Sequence, residues 1–205
     1  MSAVLVCLVY FGRGPQPGEY LAFNESGKSE FLVLMCGVRS ILQSKHEQIF
    51  SGVLTPKEGI SKQEVSPLLR DELHEHLIHL EEVRCLFLAD VTNADQEMYV
   101  SALDTLASIF QEAYKVRSGG NDGVSLMHLV IGWIYRFPQR LVGLLEIKDP
   151  FALILLGYWC ILLKYMGSSW LMAGWDRHVF SGVRRFLGEG YRWHIEWPEK
   201  VIYEY

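Results

Sequence analysis

Apolar residues recur every three or four positions along several stretches of the chain, which is the period of a helix that buries one face. The clearest stripe consists of Leu69, Leu73, Leu77, Leu80, Val83 and Phe87. Ser66 before Pro67 is a typical N-cap followed by a proline in the first turn. We therefore predict a long helix from Ser66 to about Leu88.

A second stripe predicts the next helix, and its members are Tyr99, Leu103, Leu106, Phe110 and Tyr114. Asn93 with Gln96 resembles a capping box at its start, and the glycine-rich segment 118–123 ends it. Segment 124–135 is apolar on most sides, so we expect it to be central. A short helix is predicted from Pro138 to about Ile147, and Asp149-Pro150 is predicted to cap the next one.

The remaining segments give no convincing strand alternation and no internal repeat. Segments 12–27 and 51–65 contain glycine, proline and polar residues, and both are predicted to be loops. The chain has 205 residues, which fits one domain. We therefore predict an all-α fold, with one helical-bundle domain of about seven to nine helices spanning residues 1–205.

Composition adds that the chain has more apolar surface than one core needs. Half of its residues are apolar and 13% are aromatic. A ligand cavity, an oligomer interface or missing neighbouring helices would use this surplus. The longest apolar run, Phe151 to Leu163, falls short of the roughly 20 residues of a membrane-spanning helix. Apolar segment 3–11 is expected to pack into the core or against a second copy, so we expect a homodimer.

Charge and cysteine spacing exclude several kinds of site. A net charge of −5 argues against direct contact with nucleic acid, and the basic pairs Arg136/Arg140 and Arg184/Arg185 are interpreted as surface charges. The four cysteines contain no Cys-x-x-Cys pair, so neighbouring residues cannot build a zinc cluster or a redox motif. We interpret the cysteines as small buried hydrophobic residues.

The sequence offers little enzyme chemistry, and we predict that the chain is not an enzyme. Glu72, His76 and His79 could share a helix face and hold a metal, but polar residues also belong beside an apolar stripe, and we favour that second interpretation. The glycine-rich segment 12–18 contains two prolines, which lack the amides that a phosphate loop needs. We interpret that segment as a surface turn.

The last quarter of the chain, residues 149–198, is its most specific part. A capped apolar helix is followed by a connector rich in Gly and Trp, a second helix and a Trp-Pro pair. The residues that carry this order are Pro150, Ala152, Leu153, Leu156, Tyr158, Trp159, Trp170, Gly174, Trp175, Trp197 and Pro198. This order resembles the C-terminal regulatory region of fungal zinc-binuclear-cluster transcription factors, most closely the sterol uptake control proteins. Near the start, Tyr20–Asn24 precedes Gly37-Val38-Arg39, which is similar to the same family.

The resemblance implies a regulatory domain that senses a hydrophobic small molecule, a sterol such as ergosterol, and controls transcription of sterol and lipid genes in the nucleus. The family binds DNA through an N-terminal zinc cluster with six cysteines, and this chain has no such cluster. No cofactor other than a bound sterol is implied. The alternative is a dimerisation or coactivator-interaction domain that needs no ligand.

A sterol-sized ligand needs an apolar cavity with one or two polar groups that fix its hydroxyl. The apolar helices supply the candidate lining Met127, Ile131, Ile134, Phe151, Leu155, Tyr158, Trp159 and Leu162. Connector 167–175 would close over the ligand as a lid, with Trp170, Met172, Gly174 and Trp175 as its cover. The alternative is that the same residues fill the core of the bundle.

Overall fold

The computed structural model describes residues 9–44, 64–120, 123–167 and 169–204, and these residues form an all-α domain. Residues 9–12 are helical, and eight further α-helices and one 3-10 helix follow, with no β-strand among the described residues beyond two isolated bridges in the loop at 19–27. The helices are α1 (Glu30–Ser44), α2 (Pro67–Asp90), α3 (Asn93–Ser118), α4 (Gly123–Tyr135), α5 (Gln139–Glu146), α6 (Pro150–Lys164), α7 (Trp175–Phe186), the 3-10 helix (Glu189–Ile195) and α8 (Glu196–Glu204). The predicted fold class is confirmed for this part of the chain.

Helix α6 is the centre of the bundle, and it is buried on every side. All residues from Ala152 to Leu163 are buried, and helices α2 to α5, α7 and α8 pack around them. The Asp149 carboxylate caps the helix as predicted, because its Oδ1 accepts hydrogen bonds from the amides of Phe151 and Ala152 at 3.0 and 3.2 Å. No helix in the described part of the chain is long and apolar enough to span a membrane.

Helices α2 and α3 form a hairpin joined at Val91 and Thr92. The α3 stripe predicted from the sequence is buried along its whole length, and four of the six α2 stripe residues are buried. The predicted capping box is wrong, because α3 takes Thr92 as its N-cap. The Gln96 side chain instead donates to the carbonyl oxygens of Phe87 and Leu88, at 3.3 and 2.9 Å. It therefore closes the C-terminal end of α2, where carbonyl groups lack helical partners.

Segment 12–27 is a loop as predicted, but its second half belongs to the core. Residues Tyr20 to Phe23 are buried, and the buried Ser29 hydroxyl donates a hydrogen bond to the Leu21 carbonyl. Of the apolar segment 3–11, residues 3–8 lie outside the described residues, while Tyr10 and Phe11 are buried. Most of the other predicted loop, 51–65, also lies outside the described residues.

The basic side chains named above are held mainly by acids on neighbouring elements. Arg140 forms a two-pronged pair with Asp95 at 2.8 and 2.9 Å. Arg184 pairs with Glu199 at 2.6 Å, and Arg185 pairs with Glu25. These pairs lie at the surface, where each contributes little to stability, and they join separate segments of the chain.

The close approach of α7 to the buried loop generates a test of this packing. A Cβ atom at Gly182 would overlap the Tyr20 ring, so we expect Gly182→Ala to cost about 1–3 kcal/mol of unfolding free energy. Gly143→Ala is the matched control, because a Cβ atom there meets nothing within 4 Å. The control should be neutral or stabilising in a urea titration. Equal stability of the two variants would contradict the described packing of the loop.

Candidate ligand groove

The structure places most of the predicted ligand-binding residues on α4 and α6 in the core. Ile134, Leu155, Trp159 and Leu162 are at most 2% exposed. The Trp159 indole donates to the Val130 carbonyl at 2.9 Å, so its polar atom is satisfied inside the protein. Ile131 is also buried, while Met127 and Phe151 are partly buried and packed against the core.

The connector residues do not gather at one place. Trp175 and Met172 are buried, and the Trp175 ring contacts Tyr10 and Phe11. Trp170 is 81% exposed. Gly174 precedes α7 with a positive φ of 81°, a conformation that favours glycine. Among the twelve predicted residues, Tyr158 alone lines one of the three cavities described below, so a pocket enclosed by all twelve stays a prediction.

The candidate site is a groove between α2, α6, the 3-10 helix and α8. Its volume is about 670 Å³, compared with about 450 and 200 Å³ for two other cavities of the described chain. One face of α2 forms one wall, and the opposite wall consists of Trp193, His194, Glu196 and Trp197. Tyr158 of α6 reaches the groove from the core. We call this cavity the Tyr158 groove.

Tyr158 supplies the polar group at the base of the groove. Its side chain is 3% exposed, yet its hydroxyl forms no hydrogen bond with any described residue and is not among the fully enclosed unpaired atoms. The hydroxyl therefore opens toward the groove. Burial, and then the negative charge of Glu82, raise the pKa of Tyr158 above its ordinary value. The hydroxyl is consequently a neutral group that can both donate and accept.

Aromatic rings form much of the groove wall. The His79 ring stacks on Trp197 with a centroid separation of 4.2 Å. Trp193 is 62% exposed and lies against His194. An exposed indole beside a cavity offers a large flat apolar surface at the edge of the groove. Cys85, which we expected to be buried, is exposed at the rim of the groove because it lies on the outward side of α2.

A chain of hydrogen bonds behind the groove fixes the position of Trp197. Its indole Nε1 donates to His76 Nδ1 at 3.1 Å. An indole nitrogen can only donate, so Nδ1 carries no proton and the neutral His76 ring carries it on Nε2. Nε2 lies 2.8 Å from the Tyr165 hydroxyl. His76 is 1% exposed, and these two hydrogen bonds pair both of its ring nitrogens within the protein.

The Tyr165 hydroxyl is the branching point of this chain. It donates to Glu72 Oε1 at 2.8 Å, and it accepts from His76. The Tyr114 hydroxyl lies 2.7 Å away and takes the remaining lone pair as a donor. One oxygen thus uses its one donor and two acceptor positions. Arg117 completes the cluster, with its guanidinium 3.8 Å from the Tyr165 ring centroid and 3.3 Å from Glu72.

The three α2 side chains considered as metal ligands have different partners. Glu72 and His76 share the Tyr165 hydroxyl, whereas His79 turns toward Glu82 at 2.7 Å and stacks on Trp197. No group of three or more His, Cys, Asp or Glu side chains among the described residues is placed to hold a metal. His76 is buried with both ring nitrogens paired, whereas Glu72 and His79 are partly exposed.

The sequence analysis missed the groove because its walls come from distant segments. His79 and Trp197 are separated by more than a hundred residues, and Trp193 and His194 lie in a 3-10 helix that no period revealed. The Trp-x-x-x-Trp spacing of 193 and 197 was the available signal, since it places two indoles one helical turn apart. Comparison with protein-family models, with curated proteins and with solved structures finds no match for the chain.

The charge state of Glu72 gives a pH-dependent prediction. The His76 ring first, then the Tyr114 and Tyr165 hydroxyls and Arg117, hold the pKa of Glu72 below its ordinary value of 4.5, against the opposing effect of burial. A lowered folded-state pKa stabilises the protein above pH 4.5, and this stabilisation is lost as the pH falls further. Glu72→Gln should therefore destabilise the protein at pH 7 and progressively less below pH 4.5.

Urea unfolding between pH 7 and pH 3 measures this difference. Glu75→Gln, an exposed position on the same helix, is the control and should show a small difference throughout. A stability difference between wild type and Glu72→Gln that stays constant across this range would contradict the role assigned to the carboxylate.

Proposed function

We propose that this chain is a regulatory ligand-binding domain that takes up a hydrophobic small molecule in the Tyr158 groove. The observation that carries the proposal is the Tyr158 hydroxyl, which is buried at the base of the groove without a partner among the described residues. Because no protein group competes for this hydroxyl, it is free to form a hydrogen bond with a ligand in the groove and fix its orientation. The cavity volume of about 670 Å³ falls within the range of small-molecule sites.

The resemblance to sterol uptake control proteins makes a sterol such as ergosterol the first ligand to test. A sterol has one hydroxyl on a large apolar body, and the groove offers one phenol together with apolar side chains such as Val83, Leu86 and Trp193. Under this proposal the domain controls transcription of sterol and lipid genes in the nucleus, and DNA is bound by a zinc cluster that this chain does not contain. The domain itself makes no direct contact with nucleic acid.

The contacts of Trp197 support a way for ligand binding to be transmitted. Its ring lines the groove, and its indole nitrogen binds His76, whose other nitrogen binds Tyr165 beyond the end of α6. A ligand that holds Trp197 in this position favours the conformation in which α2, α3 and α8 are joined by the hydrogen-bonded chain. A ligand shifts such an equilibrium by its difference in affinity for the two states.

A domain for dimerisation or coactivator binding is the second candidate. Three exposed apolar side chains near the start of the chain favour it: Val33 and Leu34 of α1 are 55% and 39% exposed, and Val9 is 66% exposed. A homodimer formed through these residues is compatible with ligand binding in the groove, because none of them lines it.

Binding of dehydroergosterol, a fluorescent sterol, tests the proposal through energy transfer from the tryptophans near the groove. We expect saturable binding that Tyr158→Phe weakens about tenfold, because one hydrogen bond is lost. Tyr203→Phe removes a hydroxyl from a half-exposed tyrosine outside the groove, and it should leave the affinity unchanged. Absence of saturable binding by this sterol, with no other hydrophobic compound retained in the groove, would rule out the proposed function.

A further inference from the structure

The charged side chains that line the Tyr158 groove are all acids. Glu82, Asp90 and Glu196 contribute carboxylates, and no Lys or Arg belongs to the lining. Glu82 accepts a hydrogen bond from His79 at its Oε2 atom, which leaves its second oxygen for another partner. Carboxylates on two sides of one cavity produce a negative potential that attracts cations and repels anions.

The two histidines of the lining do not cancel this charge. Burial holds the pKa of His194 below its ordinary value of 6.5, although Asp90 opposes the shift. His194 is therefore mostly neutral at pH 7. The His79 ring is shared between Glu82 and the face of Trp197, so a proton on it would be paired with one acid and would leave two unpaired.

Aromatic faces accompany the acids. Trp193, Trp197 and Tyr158 all line the groove, and the face of an aromatic ring attracts a cation. The Lys200 ammonium already lies 5.6 Å from the Trp197 ring centroid, outside the groove lining. Acids combined with indole and phenol rings are the groups that recognise organic ammonium ions, and simple metal ions prefer oxygen ligands in closer array.

We propose that the Tyr158 groove selects a small organic cation, with an apolar body against Trp193 and Val83 and a protonated or quaternary amine beside Glu82, Asp90 and Glu196. This inference rests on the proposed function and narrows its ligand. A neutral sterol is then expected to bind more weakly than an amine-bearing molecule of similar apolar bulk. An anionic lipid such as a fatty acid is not expected to bind, because the three carboxylates of the groove repel it.

Three compounds of similar shape separate charge from size: phenyltrimethylammonium, its neutral isostere tert-butylbenzene, and anionic benzenesulfonate. Titration of the full chain labelled with ¹⁵N in its tryptophan indoles reports binding at Trp193 and Trp197. The cation should bind about tenfold more tightly than the neutral isostere, and benzenesulfonate should cause no shift of these two indoles. Raising the salt concentration should weaken cation binding.

Charge-neutralising variants test whether these three carboxylates cause the preference for a cation. Glu82→Gln combined with Asp90→Asn and Glu196→Gln should abolish the preference for the cation, so that the cation and tert-butylbenzene bind with equal affinity. Glu75→Gln removes a charge from the same helix outside the groove lining, and it should preserve the preference. The indole spectrum of each variant without ligand confirms that it is folded.

The remaining outcomes overturn the inference in distinguishable ways. Equal binding of the cation and its neutral isostere would overturn the charge selectivity and leave the proposed function standing. A preference that survives in the triple variant would show that the acids do not cause it. If none of the compounds, and no sterol, shifts the Trp193 and Trp197 indoles, both the inference and the proposed function fail.

Discussion

The fold depends on the burial of α6 on all sides, because every polar atom on that helix must then find a partner inside the protein. At its start, Asp149 accepts from two helical amides and from the Tyr99 hydroxyl at 2.6 Å. In its middle, the Trp159 indole donates to the Val130 carbonyl. At its end, the Lys164 ammonium donates to the Val201 carbonyl of α8. The Tyr158 hydroxyl differs, because it has no hydrogen-bond partner among the described residues.

The groove and the hydrogen-bonded chain behind it follow from the same constraint. Just beyond α6, Tyr165 meets its requirement by joining Glu72, His76 and Tyr114, and His76 in turn holds Trp197. Buried networks of this kind stabilise a fold when every member is paired. Hydrogen bonding therefore holds Trp197 in the wall of the groove, whereas the Tyr158 hydroxyl in the same groove has no hydrogen-bond partner among the described residues.

Local signals predicted the helices, while the site depends on contacts that no local signal carries. The apolar stripes of α2 and α3 and the cap at Asp149 act within a few turns of chain, so the sequence was sufficient for them. Gln96 misled the prediction because its amide serves the previous helix. Of the twelve predicted lining residues, Tyr158 alone lines a described cavity. The sequence of an apolar helix does not show which of its faces borders a cavity, so the other residues could not be told apart from core residues. Trp193 and His79 meet there only through the tertiary fold.

The effect of Tyr158→Phe on stability without ligand tests the central claim most directly. A hydroxyl that opens to the groove without a protein partner contributes little, so the variant should unfold within about 0.5 kcal/mol of wild type or be slightly more stable. Tyr165→Phe is the comparison, since its hydroxyl has three partners and its loss should cost about 1–3 kcal/mol. A loss in Tyr158→Phe as large as that in Tyr165→Phe would show that the hydroxyl is satisfied within the protein, and would contradict the account.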